Sequence, residues 1–374
     1  MRVRSRSSAA VVVSTAVAVA VTGLLPAFAA SAAPSSAWPT ATLAKQLTSP
    51  KGATLDAHGN LVVAQNAFGA PSTAAPLVSI DTAGKNKGRV RSKGAKRSLV
   101  AIARSPKGGY WTLGVDGVLY YQAGLKSKAK KVRDLKAWGR ANPDPYSVGD
   151  DPSDPPTDSN PFGLAVNAAG NALVTDAALN TLVKVTRTGT VTVVARFAPQ
   201  EVQTGHLPAE MREGLPSRIP AESVPTGIAV AKNGAVYVGE LKGFPFRPGS
   251  SRIYKVAPNA KGAVCSANPQ FRSRACATVH KDLTAIASLA LNPAGGVVVV
   301  QYARAGIMAF EGGCFGPGGC PPAVVLKIDR GGRTELSKGR FAAPGSIVAA
   351  GPNRFYVTDA MFSPGGGRVT RLGR

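Results

Sequence analysis

The chain has 374 residues, with 45 Lys and Arg against 20 Asp and Glu, four cysteines and three histidines, for a formal net charge of +25. Length alone allows two domains. So few histidines and cysteines leave little for histidine-based catalysis or a Cys/His metal knuckle, and the basic excess suits anionic partners.

Residues 1–33 read as a Sec-type signal peptide. Arg2, Arg4 and Arg6 form a positive start, Ala9 to Leu25 is apolar and uncharged, and Ala27-Phe-Ala29 and Ala30-Ser-Ala32 offer small-x-small cleavage signals. The alternative, a single membrane anchor, is disfavoured by that small-residue tail. No Arg-Arg pair, no lipid-accepting Cys and no apolar segment near Arg374 accompany it. The mature chain, 34–374, carries +22 once the three leader arginines are gone. It is expected to be secreted or wall-associated, monomeric and without a membrane span.

The next element is Ala41-Thr-Leu-Ala-Lys-Gln-Leu47, a spare strand ahead of a repeat that recurs six times. The copies open at Pro50, Leu99, Pro161, Pro225, Ile286 and Pro344, at intervals of 49, 62, 64, 61 and 58 residues. Each opens on a short apolar strand, turns on Gly or Asn, and enters a second apolar strand. Pro161-Phe-Gly-Leu-Ala-Val166 with Ala172-Leu-Val-Thr-Asp176, and Pro225-Thr-Gly-Ile-Ala-Val230 with Val236-Tyr-Val-Gly-Glu240, are the clearest. A third strand recurs at Leu77–Asp81, Leu182–Thr186, Arg252–Val256, Val325–Asp329 and Arg368–Leu372, and a fourth at Thr190–Phe197. Four strands per unit predict an all-β, six-bladed β-propeller in one domain, at roughly 56 residues per blade. No helical periodicity long enough for βαβ crossovers interrupts them. The last repeat stops one strand short, so the spare N-terminal strand should complete it and remove both sheet edges.

Between Lys85 and Arg140, sixteen Lys/Arg face only Asp116 and Asp134, giving +14 in 56 residues. Two runs carry the excess: Lys85, Lys87, Arg89, Arg91, Lys93, Lys96 and Arg97, then Lys126, Lys128, Lys130, Lys131 and Arg133. They form a candidate polyanion patch, with a merely solvated loop as the alternative. No stacking aromatics are interleaved, which disfavours specific nucleic-acid binding. The insert that follows holds Asp144, Asp150, Asp151, Asp154 and Asp158, a candidate calcium loop without EF-hand order, or a stiff exposed linker. Two later inserts hold the cysteines. In an exported chain these read as two disulfides, Cys265–Cys276 and Cys314–Cys320, each worth about 2–3 kcal/mol in the chain-entropy model. Gaps of ten and five residues do not suit structural zinc.

Aligning the repeats places Gln65, Gly114, Asp176, Glu240, Gln301 and Asp359 at one height, the end of each second strand. Such a ring at one channel mouth would bind a divalent cation through Asp176, Glu240 and Asp359, helped by Gln65 and Gln301, and the cation would polarise a lactone or ester carbonyl. The alternative is that these groups hydrogen-bond one another and water. No Gly-x-Ser-x-Gly elbow is present. His58 sits in an Asp-Ala-His-Gly-Asn turn, and His206 and His280 lie in inserts. No catalytic set is complete in the sequence.

The stretch from Asn142-Pro-Asp144 through Asp158-Ser-Asn-Pro-Phe-Gly-Leu164, with Val238-Gly-Glu-Leu-Lys-Gly-Phe-Pro-Phe246 and Ser251-Arg-Ile-Tyr-Lys-Val256, resembles the secreted ScyD/ScyE-type propellers of scytonemin-type clusters. The likeness spans essentially the whole mature chain. It implies a propeller of the NHL/SMP-30-like kind and no defined activity. Gln301 stands where an acid would be expected, and the basic runs are unusual. The function that results is a non-enzymatic binding or scaffold module for an extracellular or envelope ligand, an anionic polymer or another exported protein. The alternative is a metal-dependent lactonase or hydrolase of the SMP-30-like kind, with calcium as the candidate cofactor.

Overall fold

The computed structural model describes residues 38–66, 76–148, 155–363 and 365–373. The leader and Asp150, Asp151 and Asp154 lie outside them. Each of the six repeats folds as an antiparallel sheet whose strands follow chain order. The first strands are Pro50–Leu55, Leu99–Arg104, Pro161–Val166, Pro225–Val230, Ile286–Leu291 and Ser346–Gly351. They touch their neighbours in a closed circuit, blade 1 against blade 2 and so on until blade 6 meets blade 1. The expected six-bladed β-propeller is therefore the fold.

Glycine in the opening motif has a physical reason. A Cβ on Gly52 would stand 2.7 Å from Ala101 Cα, one on Gly163 2.2 Å from the Thr226 carbonyl oxygen, and one on Gly227 2.9 Å from the Leu289 nitrogen. Each contact crosses to the first strand of the next blade. Threonine hydroxyls bridge the same joints: Thr175 Oγ1 donates to the Thr226 carbonyl at 2.7 Å and Thr226 Oγ1 to the Ile286 carbonyl at 2.5 Å.

Away from the channel the blades pack through alternating apolar residues. Trp111 is fully buried between blades 2 and 3 and donates its indole N–H to the Gly170 carbonyl at 3.0 Å. Phe197 and Tyr254 meet at 5.6 Å between blades 3 and 4, in a cluster that includes Cys265 and Cys276. Both expected disulfides are formed, Cys265–Cys276 and Cys314–Cys320. The inserts add small elements that strand periodicity did not announce. They are the helix Leu135–Arg140, the hairpin of Gln200–Gln203 with Arg218–Ala221, and the helix Ile307–Cys314. A fifth strand, Ala263–Cys265, runs parallel to Val191–Phe197 in blade 3. Asp134 caps the first helix by accepting from the Ala137 N–H at 2.9 Å. Among the described residues no helix is long and apolar enough to cross a membrane.

The ring closes as the sequence requires. Thr40–Leu47 pairs antiparallel with Gly367–Leu372, running from Thr40 opposite Leu372 to Leu47 opposite Gly367. Leu43, Ala44 and Leu47 then pack with Leu61, Val63, Tyr356 and Val369, joining blade 6 to blade 1. Leu47 is 2% exposed, so Leu47→Ala should cost about 3 kcal/mol in urea unfolding. A loss below about 0.5 kcal/mol would mean that the closing strand contributes little.

Candidate functional site

The turns that lead into the first strands and the ends of the second strands share one mouth of the channel, since Pro50 pairs with Gln65, Pro161 with Asp176 and Pro225 with Glu240. A left-handed residue leads into the first strand in four blades: Ser49 (φ 44°), Val224 (53°) and Ala285 (45°) directly before it, and Ala343 (57°) three residues ahead of Ser346. Such backbone costs free energy in a non-glycine residue and persists only when its surroundings fix it. The polar ring supplies part of that fixing. Gln65 Oε1 accepts from the Thr48 N–H at 2.7 Å, Gln301 Oε1 from the Thr284 N–H at 2.7 Å, and Asp359 Oδ1 from the Ala342 N–H at 2.9 Å. Asp176 Oδ1 accepts from the N–H groups of Asn160 at 2.8 Å and Leu179 at 3.1 Å, and its Oδ2 from the Ser159 hydroxyl at 2.6 Å. Glu240 Oε2 accepts from the Ser223 hydroxyl at 2.6 Å and lies 3.0 Å from Lys242 Nζ. Arg368 holds the other oxygen of Asp359 at 2.5 Å.

These residues are latches, each holding the turn of its own blade. Gly114 leaves blade 2 without one. The expected cation site does not follow, because the acids do not converge. Asp176 and Asp359 have spent both oxygens on local donors, and only Glu240 Oε1 lacks a partner. Among the described residues no three His, Cys, Asp or Glu side chains group to hold a metal. Burial pushes the Asp176 carboxyl up to about 6 against the pull of its donors, and burial raises Asp359 against Arg368.

The acidic loop divides. Asp144 is 5% exposed and accepts from Asn180 Nδ2 at 2.9 Å and from the Tyr146 N–H at 2.9 Å. The same Asn180 amide donates to Glu222 at 3.2 Å. The loop was expected to wrap calcium or to be an exposed linker, but its first acid is a buried strut, its carboxyl raised by that burial. Asp158 accepts from the Ser159 N–H and lines a cavity of about 230 Å³ with Lys136, Arg140 and Ser159.

The basic residues lie on the rim. Lys85, Lys87 and Arg89 are exposed in the turn before the outer strand of blade 1, and Lys130, Lys131 and Arg133 on the outer strand of blade 2. Lys126 and Lys128 are exposed in the turn that precedes that second strand. Lys93 and Lys96 belong to the outer strand Val90–Lys96 of blade 1. Arg91 pairs with Asp81 at 2.6 Å, Lys131 pairs with Asp134 at 3.3 Å, and Arg97 lies over the Tyr120 ring at 3.7 Å. The histidines stay apart from the mouth's polar ring. His58 is exposed in its turn, His206 Nε2 lies 2.8 Å from the Pro245 carbonyl oxygen, and burial lowers His280, with Arg333 adding to it.

Sequence reasoning passed over Lys51. It is the second residue of the first strand of blade 1, where blades 3 and 4 carry Phe162 and Thr226. From there it spans to blade 3 and sets its Nζ 4.8 Å from the centre of the Phe162 ring. Phe162 packs against a cluster built from the residues beside the latches, among them Ala177, Val224, Leu241, Ala285, Tyr302 and Ala343. Lys51 is half-buried beside the Phe162 ring, and desolvation by burial lowers it to about 8. The only signal available was a cation at a position that is apolar or neutral in the other blades.

Among solved structures the chain is similar to the PQQ-bound aldose sugar dehydrogenase of Streptomyces coelicolor, at 12% identity over 91% of this chain and 99% of that one, with a TM-score of 0.54. It is similar to a Bacteroides thetaiotaomicron protein of unknown function, at 12% identity over 89% and 75%, TM-score 0.52. A candidate gluconolactonase matches at 10% identity over 91% and 93%, TM-score 0.50. No family model and no curated protein matches the sequence. At these identities the likeness is one of fold. It nevertheless counts against the expectation of a non-enzymatic module, since two of these propellers are described as enzymes, one a sugar dehydrogenase and the other a candidate lactonase like that of the alternative.

The latches yield a stability test. The Asp176 carboxyl binds its proton more tightly folded (about 6) than at the ordinary 3.8, so its contribution rises as pH falls through that window and is lost as pH climbs back above about 6. Asp176→Asn should remove this pH dependence in urea unfolding while keeping an acceptor for the Asn160 and Leu179 N–H groups. Asp176→Ala should cost about 3 kcal/mol at neutral pH, since it strands three donors. Equal stability of the Ala and Asn variants would show that the latch is dispensable.

Proposed function

We propose that this chain is an exported enzyme that hydrolyses a lactone or similarly activated ester at the latched mouth of its channel, with Lys51 as the catalytic residue. The observation that carries this reading is the desolvated amine set across the channel against Phe162. With a pKa of about 8, roughly a tenth of it is free base at neutral pH, whereas an ordinary lysine near 10.4 offers less than about a thousandth. The free amine takes a proton from the water that adds to the carbonyl carbon. The resulting ammonium returns that proton to the leaving alkoxide. The Phe162 face holds the apolar part of the substrate beside it, and the half-burial of Lys51 keeps part of the amine as free base.

A divalent cation of the kind used by metal-dependent lactonases does not fit Asp176, Glu240 and Asp359, which serve separate latches and leave only Glu240 Oε1 without a donor. No step is routed through one. The finer kinship with ScyD/ScyE-type propellers belongs to the same proposal. It is supported by Asp158-Ser-Asn-Pro161 and by Gly239-Glu-Leu-Lys-Gly-Phe-Pro-Phe246.

Initial rates on a panel of lactones and aryl esters, from about pH 6 to 10, test the reading. Turnover should rise with pH along a limb centred near 8 and persist after chelator dialysis. Lys51→Met and Lys51→Arg should both lose that limb with unfolding midpoints kept, since arginine restores charge and not the base. Absence of wild-type turnover across the panel, or an unchanged limb in Lys51→Met, would overturn it.

A further inference from the structure

The buried pair Glu240–Lys242 is unlike the other latches. Glu240 is 0% and Lys242 1% exposed, and Nζ stands 3.0 Å from Oε2. Yet neither Nζ nor Glu240 Oε1 makes a hydrogen bond of acceptable direction. An ion pair taken fully out of water is costly unless its remaining donors and lone pairs are satisfied, and here they are not. The backbone is forced as well: Lys242 is left-handed at φ 81°. Three N–H donors from Leu241, Lys242 and Gly243 to the carbonyls of Val224, Ser223 and Glu222, at 2.9, 3.2 and 2.9 Å, strap it down. The fold thus holds an amine against a carboxyl group in a dry site. Ser223 Oγ donates to the carboxyl at 2.6 Å.

We propose that Glu240 and Lys242 become joined by an amide bond between Glu240 Cδ and Lys242 Nζ, formed within the folded protein. The step balances without a co-reactant. The ammonium passes a proton to the carboxylate, leaving a neutral amine and a carboxylic acid. The Nζ lone pair adds to Cδ, Ser223 donating to the oxygen that gains charge. The C–OH bond breaks, the departing oxygen takes the second Nζ proton, and one water leaves. No atom is oxidised or reduced. Two conditions favour it. Burial lowers the lysine, with Glu240 opposing, so the neutral amine is within reach. Holding the two groups in contact also replaces an encounter between free molecules, a gain that reaches effective molarities of about 10⁵ M or more in well-oriented cases. The product is a neutral amide. It removes both buried charges and leaves one N–H and one carbonyl oxygen in place of the misaligned ion pair.

Peptide mapping of the reduced, alkylated wild-type protein decides the matter, independently of any chemistry at Lys51. The expected result is no tryptic cleavage after Lys242. The peptide containing Gly239–Phe246 should be lighter than its sequence by one water, with fragment ions confining the loss between Glu240 and Lys242. Lys242→Arg should show the full sequence mass and a lower unfolding midpoint. Cleavage after Lys242 with the full sequence mass in the wild type would overturn the proposal. A water loss that persisted in Lys242→Arg would overturn it too, by placing the dehydration elsewhere.

Discussion

Everything in this molecule depends on six strands passing one another at backbone distance. A propeller with side chains between its first strands would have a wide channel. Here Gly52, Gly163 and Gly227 let a neighbouring backbone occupy the space of a Cβ, and Gly345 does the same against the Lys51 carbonyl oxygen, which a Cβ would approach to 2.5 Å. Gly52, Gly163 and Gly227 lie within strands and have no positive φ, so their absent side chain is a packing requirement. Drawn in this way, the first strands leave a channel in which a single long side chain spans from blade 1 to blade 3. Lys51 is that side chain, and its partial desolvation follows from how closely the first strands run.

The second consequence falls on the turns. To enter a strand at the centre of so tight a ring, the chain bends through left-handed residues, including Ala285 and the β-branched Val224. Each bend needs an acceptor for the N–H groups it exposes, and the end of the adjacent second strand is the nearest place to put one. Gln65 and Gln301 do this without charge, whereas Asp176 and Asp359 do it with charge. That amides and acids serve interchangeably identifies the acceptor oxygen, and not the charge, as the selected property. Burying a carboxylate carries a desolvation cost that the amide avoids, and the structure shows it being offset differently in each blade. Asp176 collects three donors, Asp359 an arginine and Glu240 a lysine.

Much of the architecture was legible in the sequence because it repeats. The spacing of Pro-x-Gly openings, the even alternation of the strands and the missing last strand all report on backbone geometry, which a periodic pattern encodes directly. Both disulfides could be paired because their partners lie close in sequence. The ring of Gln65, Asp176, Glu240, Gln301 and Asp359 was also visible as a ring. Its bonding was not, because the donors sit sixteen or seventeen residues earlier, on backbone N–H groups that carry no residue signature. Asp144 misled for a related reason. Five Asp among prolines resemble an exposed loop, and only the fold brings Asn180 from the next blade to bury the first of them. Lys51 was hidden by its ordinariness, a lysine in a strongly basic chain.

The two buried lysines show how one physical change yields opposite chemistry. Desolvation lowers both Lys51 and Lys242. Around Lys51 the neighbour is an aromatic face, which attracts the ammonium only weakly and offers no acceptor, so the free base gains and remains available to a solute entering the channel. Around Lys242 the neighbour is a carboxyl group at 3.0 Å, which opposes the lowering without cancelling it and at the same time presents an electrophilic carbon. The rim carries the opposite arrangement. Most of its described cations are exposed, and solvent and salt screen them within about 8 Å at physiological ionic strength, so their fields scarcely alter the mouth. Reactivity in this propeller therefore concentrates where the ring is tightest, although most of its charge lies at the edge.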